Sequence, residues 1–148
     1  MEKITCCGFG HRLVLSNVEG ELLTLLTHLI EEEHVHTFMV GAQGEFDTLF
    51  AKTVRILKKK HPIVKLLLVL PYLSSTLNKE KDYYEKAYDE IIIPATTEGK
   101  HYKSAATLKN RFMVDQSSIV IAYLRRDFGG AYTAVSYAKK AEKRIIFL

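Results

Sequence analysis

The sequence predicts an α/β fold: a single three-layer domain over residues 1–148, built on an open, mainly parallel sheet. Three observations lead there. Short apolar runs alternate with amphipathic stretches along the chain, the pattern of repeated strand–helix units. The run "KLLLVL" is apolar without alternation, as suits a parallel strand covered on both faces. Glycines follow the runs in "GFGHR", "GAQGEFD" and "RRDFGGAYT", where strands must turn sharply into helices.

The elements follow in order. Residues 3–7, "KITCC", form a first strand that ends at Gly8, with Gly10 beyond it. Its adjacent Cys6 and Cys7 point to opposite faces of the sheet. Ser16 and Glu19 have capping-box spacing, and Val18, Leu22, Leu25, Leu26, Leu29 and Ile30 then recur on one helical face until "EEEH". "TFMV" is a second strand, ending at Gly41. In the next helix Phe46, Leu49, Phe50, Val54 and Leu57 make the apolar stripe, and Pro62 stops it. "KLLLVL" is the third strand. "PYLSSTLNKEKDYYEKAYD" reads as a loop and then a tyrosine-rich helix, and "EIIIP" as a fourth strand. After the polar link "ATTEGKHY" comes a short helix, "SAATLKNRFMVD". "SIVIAYL" is the fifth strand. Gly129-Gly130 turns the chain into a helix whose Ala131, Ala134, Ala138 and Ala141 allow close approach to a sheet, and "RIIFL" is the last strand. Right-handed crossovers place the helices; the local sequence does not encode the strand order.

Composition narrows the class. The chain has 148 residues, 47% hydrophobic and 26% charged, with 3 prolines and 8 glycines, enough for one sizeable core. A net charge of +4 is mild. The densest basic run, "KTVRILKKKH", reads as a solvated helix face, with a nucleic-acid surface as the alternative. Two adjacent cysteines make no disulfide scaffold, and without CxxC or HExxH no zinc site is expected. The N-terminus carries no cleavable apolar segment, and "LLLVLPYL" falls far short of the roughly 20 residues that span a bilayer. A cytoplasmic protein with no membrane association is expected.

The turns carry the candidate chemistry. Gly129 and Gly130 precede a helix whose free N–H groups favour an anion, and Thr133 adds a hydroxyl donor; the alternative is a tight turn alone. Gly8 and Gly10 have GxG spacing, but Leu13 stands at the third glycine position and the second strand ends without an acid, so NAD and FAD are disfavoured. A Walker A loop is absent. Arg12 at the end of the first strand can pair with a phosphate, and His11 precedes it. Glu45 and Asp47 complement the dipole of the second helix; alternatively they reach ribose hydroxyls or assist attack at the sugar carbon. Asp115 pairs with Arg111 at i,i+4, or the two anchor a ligand-facing loop beside Asn110. Tyr72 is placed to stack on a base or to pack in the core.

The order and spacing of "GFGHR", "GAQGEFDTLFA", "LPY" and "KNRFMVDQSSIVIAYLRRDFGGAYTAVSYAKKAEKRIIFL" resemble the SLOG group of Rossmann-like proteins, most closely its YpsA-like bacterial branch. The resemblance spans nearly the whole chain and is most specific in its C-terminal part. It implies a Rossmann-like domain with a pocket for a nucleotide or nucleotide-derived ligand. Carried over by position, that pocket comprises Gly8, Phe9, Gly10, His11, Arg12, Gly41, Gly44, Asp47, Asn110, Arg111, Asp115, Gly129, Gly130 and Thr133. Some relatives remove the base from nucleoside monophosphates, and others bind single-stranded DNA. The base-removing enzymes carry a proline before the two glycines and a glutamate in the following helix. Here Phe128 replaces the proline, and Ser136, Tyr137 and Ala138 stand where the glutamate is expected.

These readings give three functional expectations. The first is binding or sensing of a nucleotide-derived small molecule, with no metal or redox cofactor. The second is a nucleoside-phosphate N-glycosidase or related transferase, with Asp47 or Glu45 as the carboxylate. The third is a nucleic-acid-binding or protein-interaction module. For the nucleic-acid form, the basic helix around Lys52, Arg55 and Lys58 to Lys60 supplies charge, but the aromatics that single-stranded binders need mostly sit elsewhere. For the interaction form, Tyr83, Tyr84 and Tyr88 offer a patch, with a symmetric homodimer as its simplest product.

Overall fold

The computed structural model describes residues 4–14 and 17–148. Its strands are β1 (Thr5–Gly10), β2 (Thr37–Val40), β3 (Lys65–Val69), β4 (Glu90–Ile92), β5 (Ile119–Tyr123) and β6 (Arg144–Phe147). Its helices are α1 (Glu19–Glu31), α2 (Glu45–Lys60), α3 (Ser75–Lys79), α4 (Lys81–Ala87), α5 (Tyr102–Gln116) and α6 (Gly130–Lys140). The sheet has six strands in the order β4-β3-β2-β1-β5-β6, and every neighbouring pair is parallel. The chain steps from β1 outward to β4, then crosses to the other side of β1 and continues outward through β5 and β6. The order therefore reverses between β1 and β5.

Two apolar layers sandwich the sheet. On one face Leu22, Leu26, Leu29 and Ile30 of α1, with Phe46, Phe50, Val54 and Leu57 of α2, pack against Cys6, Phe38, Val40, Leu66 and Ile121. On the other, Met113 and Val114 of α5, with Ala134, Val135 and Ala138 of α6, pack against Cys7, Phe9, Met39, Val69 and Val120. The expected opposition of Cys6 and Cys7 holds, and both thiols are fully buried. Cys7 is pushed up to about 12, chiefly by desolvation, so it is an inert core thiol. The expected helical stripes hold too, with Leu25 and Leu49 only partly buried.

Several boundaries differ from the sequence reading. The first strand does not stop at Gly8 but runs through Gly10. The reason is packing. A Cβ at Gly8 would stand 2.6 Å from the Phe50 ring, and one at Gly10 2.2 Å from Phe46. These glycines let two phenylalanines of α2 lie against the strand backbone, and only then does the chain turn. The helix after the polar link is longer than expected, starting at Tyr102, where the His101 ring accepts from Lys103 N–H at 3.4 Å. The tyrosine-rich segment forms two short helices rather than one, broken at Glu80. Ala141 ends α6 instead of extending its buried face. Ser16, the expected cap of α1, lies outside the described residues. No helix among them is long and apolar enough to cross a membrane.

Gly10→Ala tests the strand–helix packing. Forcing a methyl into the Phe46 ring should lower unfolding stability by about 1–3 kcal/mol, the usual cost of overpacking. An unchanged urea midpoint would show that the ring yields freely and that this contact does not hold α2 to β1.

Candidate functional site

In open parallel sheets the crevice forms beyond the strand carboxyl ends where the order reverses. Here that place lies beyond Gly10 of β1 and Tyr123 of β5. The two strand ends are tied by one bond: the backbone N–H of Arg125 donates to His11 Nε2 at 2.8 Å. The imidazole lies edge-on to Tyr123, with 6.0 Å between ring centroids, and is 6% exposed. Burial, reinforced by Arg126 and Arg125, holds the His11 pKa below its ordinary value. His11 is therefore the neutral acceptor that closes one wall of the crevice.

The next turn follows β2. Gly41 begins it, and the reason is crowding. A Cβ there would lie 2.7 Å from Lys109 Nζ and 3.2 Å from Asp47 Oδ2. An amine from α5 and a carboxylate from α2 thus converge on one glycine. The Asp47 carboxylate accepts from Gln43 N–H at 2.8 Å. Burial raises its pKa, and the Gln43 N–H and Lys109 partly offset that. Lys109 is only 3% exposed; burial lowers its pKa, while Asp47 and Cys7 pull it back up.

The two helix N-termini near the crevice differ. At α2 the first N–H, of Glu45, donates to Arg12 O at 2.8 Å, and the Glu45 carboxylate accepts from Val14 N–H at 2.8 Å. That end is engaged in holding the loop after β1. At α6, Gly129 takes φ +98°, which favours glycine, and no side chain caps the helix. Its first N–H groups have no intrahelical acceptor, and they open on the crevice at Gly130 and Ala131. Thr133 Oγ1 donates back to Gly129 O at 3.0 Å.

Phe9, Gly10, His11, Arg12, Gly41, Asp47, Asn110 and Gly130, all named from sequence, line one cavity of about 140 Å³, together with Gln43, Lys109, Arg126 and Ala131. A larger groove of about 760 Å³ adjoins it and shares Arg12, Gln43, Asn110 and Gly130. Tyr72, Arg111 and Thr133 line this groove, with Tyr102, Lys103, Tyr137 and Lys140. Among the described residues no carboxylate forms an ion pair with Arg12, Lys109, Arg111 or Arg126. The cavity therefore sets three unpaired cations against one acid, Asp47, and presents an electropositive seat.

Other candidates fall outside both walls. Gly8 is buried in β1 beneath Phe50. Gly44 packs on the Arg12 backbone, where a Cβ would meet Cα at 2.5 Å. Asp115 accepts from Tyr137 O–H at 2.8 Å, while the Arg111 guanidinium stacks on the same ring at 5.2 Å. Tyr137 rather than a direct ion pair links the two. Among the described residues no cluster of His, Cys, Asp and Glu is placed to hold a metal.

The sequence reading missed Gln43, Lys109, Arg126 and the groove tyrosines Tyr102 and Tyr137. Lys109 had a signal. Ala105, Lys109 and Met113 follow i, i+4, i+8 along α5, and all three are buried. A lysine in an apolar stripe breaks the pattern that should exclude it. Arg126 had no such mark, because only the strand order brings the turn after β5 beside the one after β1.

An all-parallel three-layer sheet with a crevice at its order reversal defines the Rossmann-like class of α/β proteins. The chain belongs to the YpsA branch of that class: the family model, described as the YspA SLOG family, matches residues 14–145. It is 25% identical over 138 residues, 83% of this chain and 81% of the other, to the uncharacterized SPbeta prophage-derived protein YoqJ of Bacillus subtilis (strain 168). Among solved structures it resembles DNA processing protein A from Helicobacter pylori, a protein with a single-stranded DNA binding mode, at 17% identity and a TM-score of 0.67. That likeness covers 97% of this chain and 64% of the other. DNA processing protein A from Streptococcus pneumoniae matches at 13% identity and a TM-score of 0.68, over 98% of this chain and 50% of the other. This chain thus spans half to two thirds of those proteins, and the likeness is one of fold.

The His11 bond predicts a pH dependence. A folded-state pKa below the unfolded one means that the unfolded chain takes up the proton first. The stability from this bond is complete above about pH 6.5, the ordinary imidazole value, and is lost as pH falls through the folded pKa. Between neutral and mildly acidic pH the wild type should lose about 1 kcal/mol, one hydrogen bond, beyond what His11→Gln loses. Parallel stability–pH curves for the two proteins would contradict the assignment.

Proposed function

We propose that this protein binds a nucleotide or nucleotide-derived ligand, its anionic group in the cavity and its base in the adjoining groove. The observation that carries the reading is the continuity of the two spaces. An electropositive seat at the open N-terminus of α6 leads directly into a wall bearing Tyr72, Tyr102 and Tyr137. Backbone N–H groups at a helix start with guanidinium groups beside them suit a phosphate, and tyrosine faces suit a base. The family membership supports the same reading. A role as a sensor or regulatory module follows if binding occurs without turnover.

The groove also favours a second reading, single-stranded nucleic-acid binding. Lys103, Arg111 and Lys140 stand among the same tyrosines, combining basic and aromatic groups as such binders do. The expectation that the aromatics sit away from the basic residues rested on α2; the groove brings a different set together. The fold likeness to a protein with a single-stranded DNA binding mode adds to this reading. Base removal is a narrower version of the first. It needs Asp47 against the ribose, whereas Glu45 is engaged with the Val14 N–H.

A screen of nucleoside monophosphates, cyclic nucleotides and a short oligonucleotide by calorimetry tests these readings. Arg12→Ala should weaken a nucleotide by about 10- to 100-fold, the worth of one charge-assisted hydrogen bond. Binding only to the oligonucleotide, with a steep loss in salt, would give the second reading the lead. Release of free base that vanishes in Asp47→Asn, with phosphate affinity kept, would establish the enzyme; turnover that survives would remove Asp47 from that role.

A further inference from the structure

Lys109 is the one buried lysine among the described residues, at 3% exposed. Its Cα belongs to the stripe of α5 that carries Ala105 and Met113, yet its side chain ends at the cavity. Among the described residues it makes no hydrogen bond or ion pair there. Nor is the amine sealed off. Among the described residues Asn110 Oδ1 is the only shielded side-chain polar atom without a partner. The unbonded Nζ of Lys109 is not a second such atom, so the small exposed area of the residue reaches its amine. Lys109 is thus desolvated along its stem and open at its tip.

Holding an anion does not require a lysine in this place. Arg12 and Arg126 line the same cavity, and a guanidinium stays protonated and is no nucleophile. Lys109 is the only amine among the residues that line it. Burial makes an ammonium costly, so a buried lysine gives up its proton more readily than an exposed one. The free amine of a desolvated lysine attacks a carbonyl carbon to form a Schiff base. A proton acceptor stands beside it. Asp47 and Lys109 converge on Gly41, where a Cβ would lie 3.2 Å from Asp47 Oδ2 and 2.7 Å from Lys109 Nζ. Burial lowers the Lys109 pKa and raises that of Asp47, which narrows the gap between this acid and this base.

The volume limits what enters. The cavity holds about 140 Å³, close to the roughly 150 Å³ that encloses a single benzene ring. The carbonyl compound is therefore compact. Arg12, Arg126 and the open start of α6 surround the same space, so they favour a compound with an anionic end.

We propose that Lys109 is a Schiff-base lysine that captures a small aldehyde bearing an anionic group, the chemistry of an open-chain aldose phosphate. Asp47 takes a proton from the Lys109 ammonium. The nitrogen lone pair then bonds to the carbonyl carbon, and the carbonyl π pair moves to oxygen, which receives a proton from nitrogen. Asp47 returns its proton to that hydroxyl. The carbon–oxygen bond breaks, water leaves, and the nitrogen lone pair closes the C=N bond. In sum, ammonium and aldehyde give a protonated imine and water, with no oxidant or reductant. The inference goes beyond the nucleotide reading and shares with it only the anion seat.

The test uses the whole chain, glyceraldehyde 3-phosphate or glyceraldehyde, and cyanoborohydride, which reduces an imine to a stable secondary amine. Modified lysines are located by peptide mass spectrometry. With the phosphate-bearing aldehyde, Lys109 should react at least about tenfold faster than any exposed lysine, because the cavity holds the carbonyl against it. The same aldehyde should outpace glyceraldehyde at Lys109 by at least about tenfold, the worth of one charge-assisted hydrogen bond. Lys109→Arg keeps the charge and cannot form an imine; it should abolish the fast reaction and leave the other lysines reacting as before. Asp47→Asn should slow capture at Lys109 by at least about tenfold. The wild-type map needs no variant, so it decides the matter even where a variant does not fold. Lys109 reacting no faster than exposed lysines, or equally with both aldehydes, overturns the proposal; a nucleoside 5′-monophosphate that still binds then leaves the nucleotide reading standing. An Asp47→Asn protein that folds and captures at the wild-type rate overturns it too. Fast capture at Lys109 that a nucleoside 5′-monophosphate does not slow supports the proposal and counts against the nucleotide reading.

Discussion

The reversal of strand order at β1 is the constraint on which the rest of the molecule depends. Parallel strands need crossover helices, and right-handed crossovers fix the face on which each helix lies. Stepping one way from β1 places α1 and α2 on one face; stepping the other way places α5 and α6 on the opposite face. At the boundary β1 and β5 are sheet neighbours that no single crossover helix joins. The crevice is what the topology leaves open, and the turns after β1, β2 and β5 border it because those strands are neighbours. Residues far apart in the chain meet there: His11 and the Arg125 N–H are 114 positions apart and bonded at 2.8 Å.

Building that edge from small residues has consequences on both sides of the sheet. Gly8 and Gly10 bring α2 close to β1 through Phe50 and Phe46, and α2 then carries Asp47 to the mouth of the crevice. Ala134 and Ala138 do the same for α6 on the other face, and α6 arrives with its first turn beside Gly10. The glycines thus act at one remove from any ligand: they set the height of the helices, and the helices set the polar groups. Gly41 is the exception. It makes room directly, for the amine and the carboxylate that converge on it.

Much of the fold was legible in the sequence because the signals were local. Unbroken apolar runs marked the buried parallel strands, and Phe46, Phe50, Val54 and Leu57 marked the inner face of α2 at helical spacing. Gly129-Gly130 marked a strand-to-helix turn, and the structure uses a positive φ there. The end of β1 was misread because glycine has two uses, turning and close packing, and the sequence around Gly8 does not say which applies. The site was legible in part. His11, Arg12 and Asp47 lie on a turn and a helix start adjoining the glycine signals, so pattern reading reached them, while Asn110, in the middle of α5, came with the family resemblance. Arg126 and the groove tyrosines were hidden by the need to know which turns are adjacent. Asp115 and Arg111 were read as an i,i+4 pair, yet Tyr137 from α6 intervenes between them. Such substitutions by a neighbouring element do not show in a single helix's spacing.

The residues that break local rules gather in one place. A histidine is buried as a neutral acceptor, a lysine sits in an apolar helix stripe, an asparagine oxygen is shielded without a partner, and a half-buried carboxylate has its pKa raised by desolvation. The unpartnered lysine and asparagine and the desolvated carboxylate lower the stability of the free protein, and scattered through the core they would read as imperfections. All these residues come instead from the turn after β1, from α2 and from α5, and meet at the crevice that the strand order leaves open. Departures from foldability that coincide with a topological opening are expected at functional sites. Stability alone gives no reason for their convergence. A ligand whose anionic group met the unpaired cations would give one, by satisfying in the bound state what folding left unpaired.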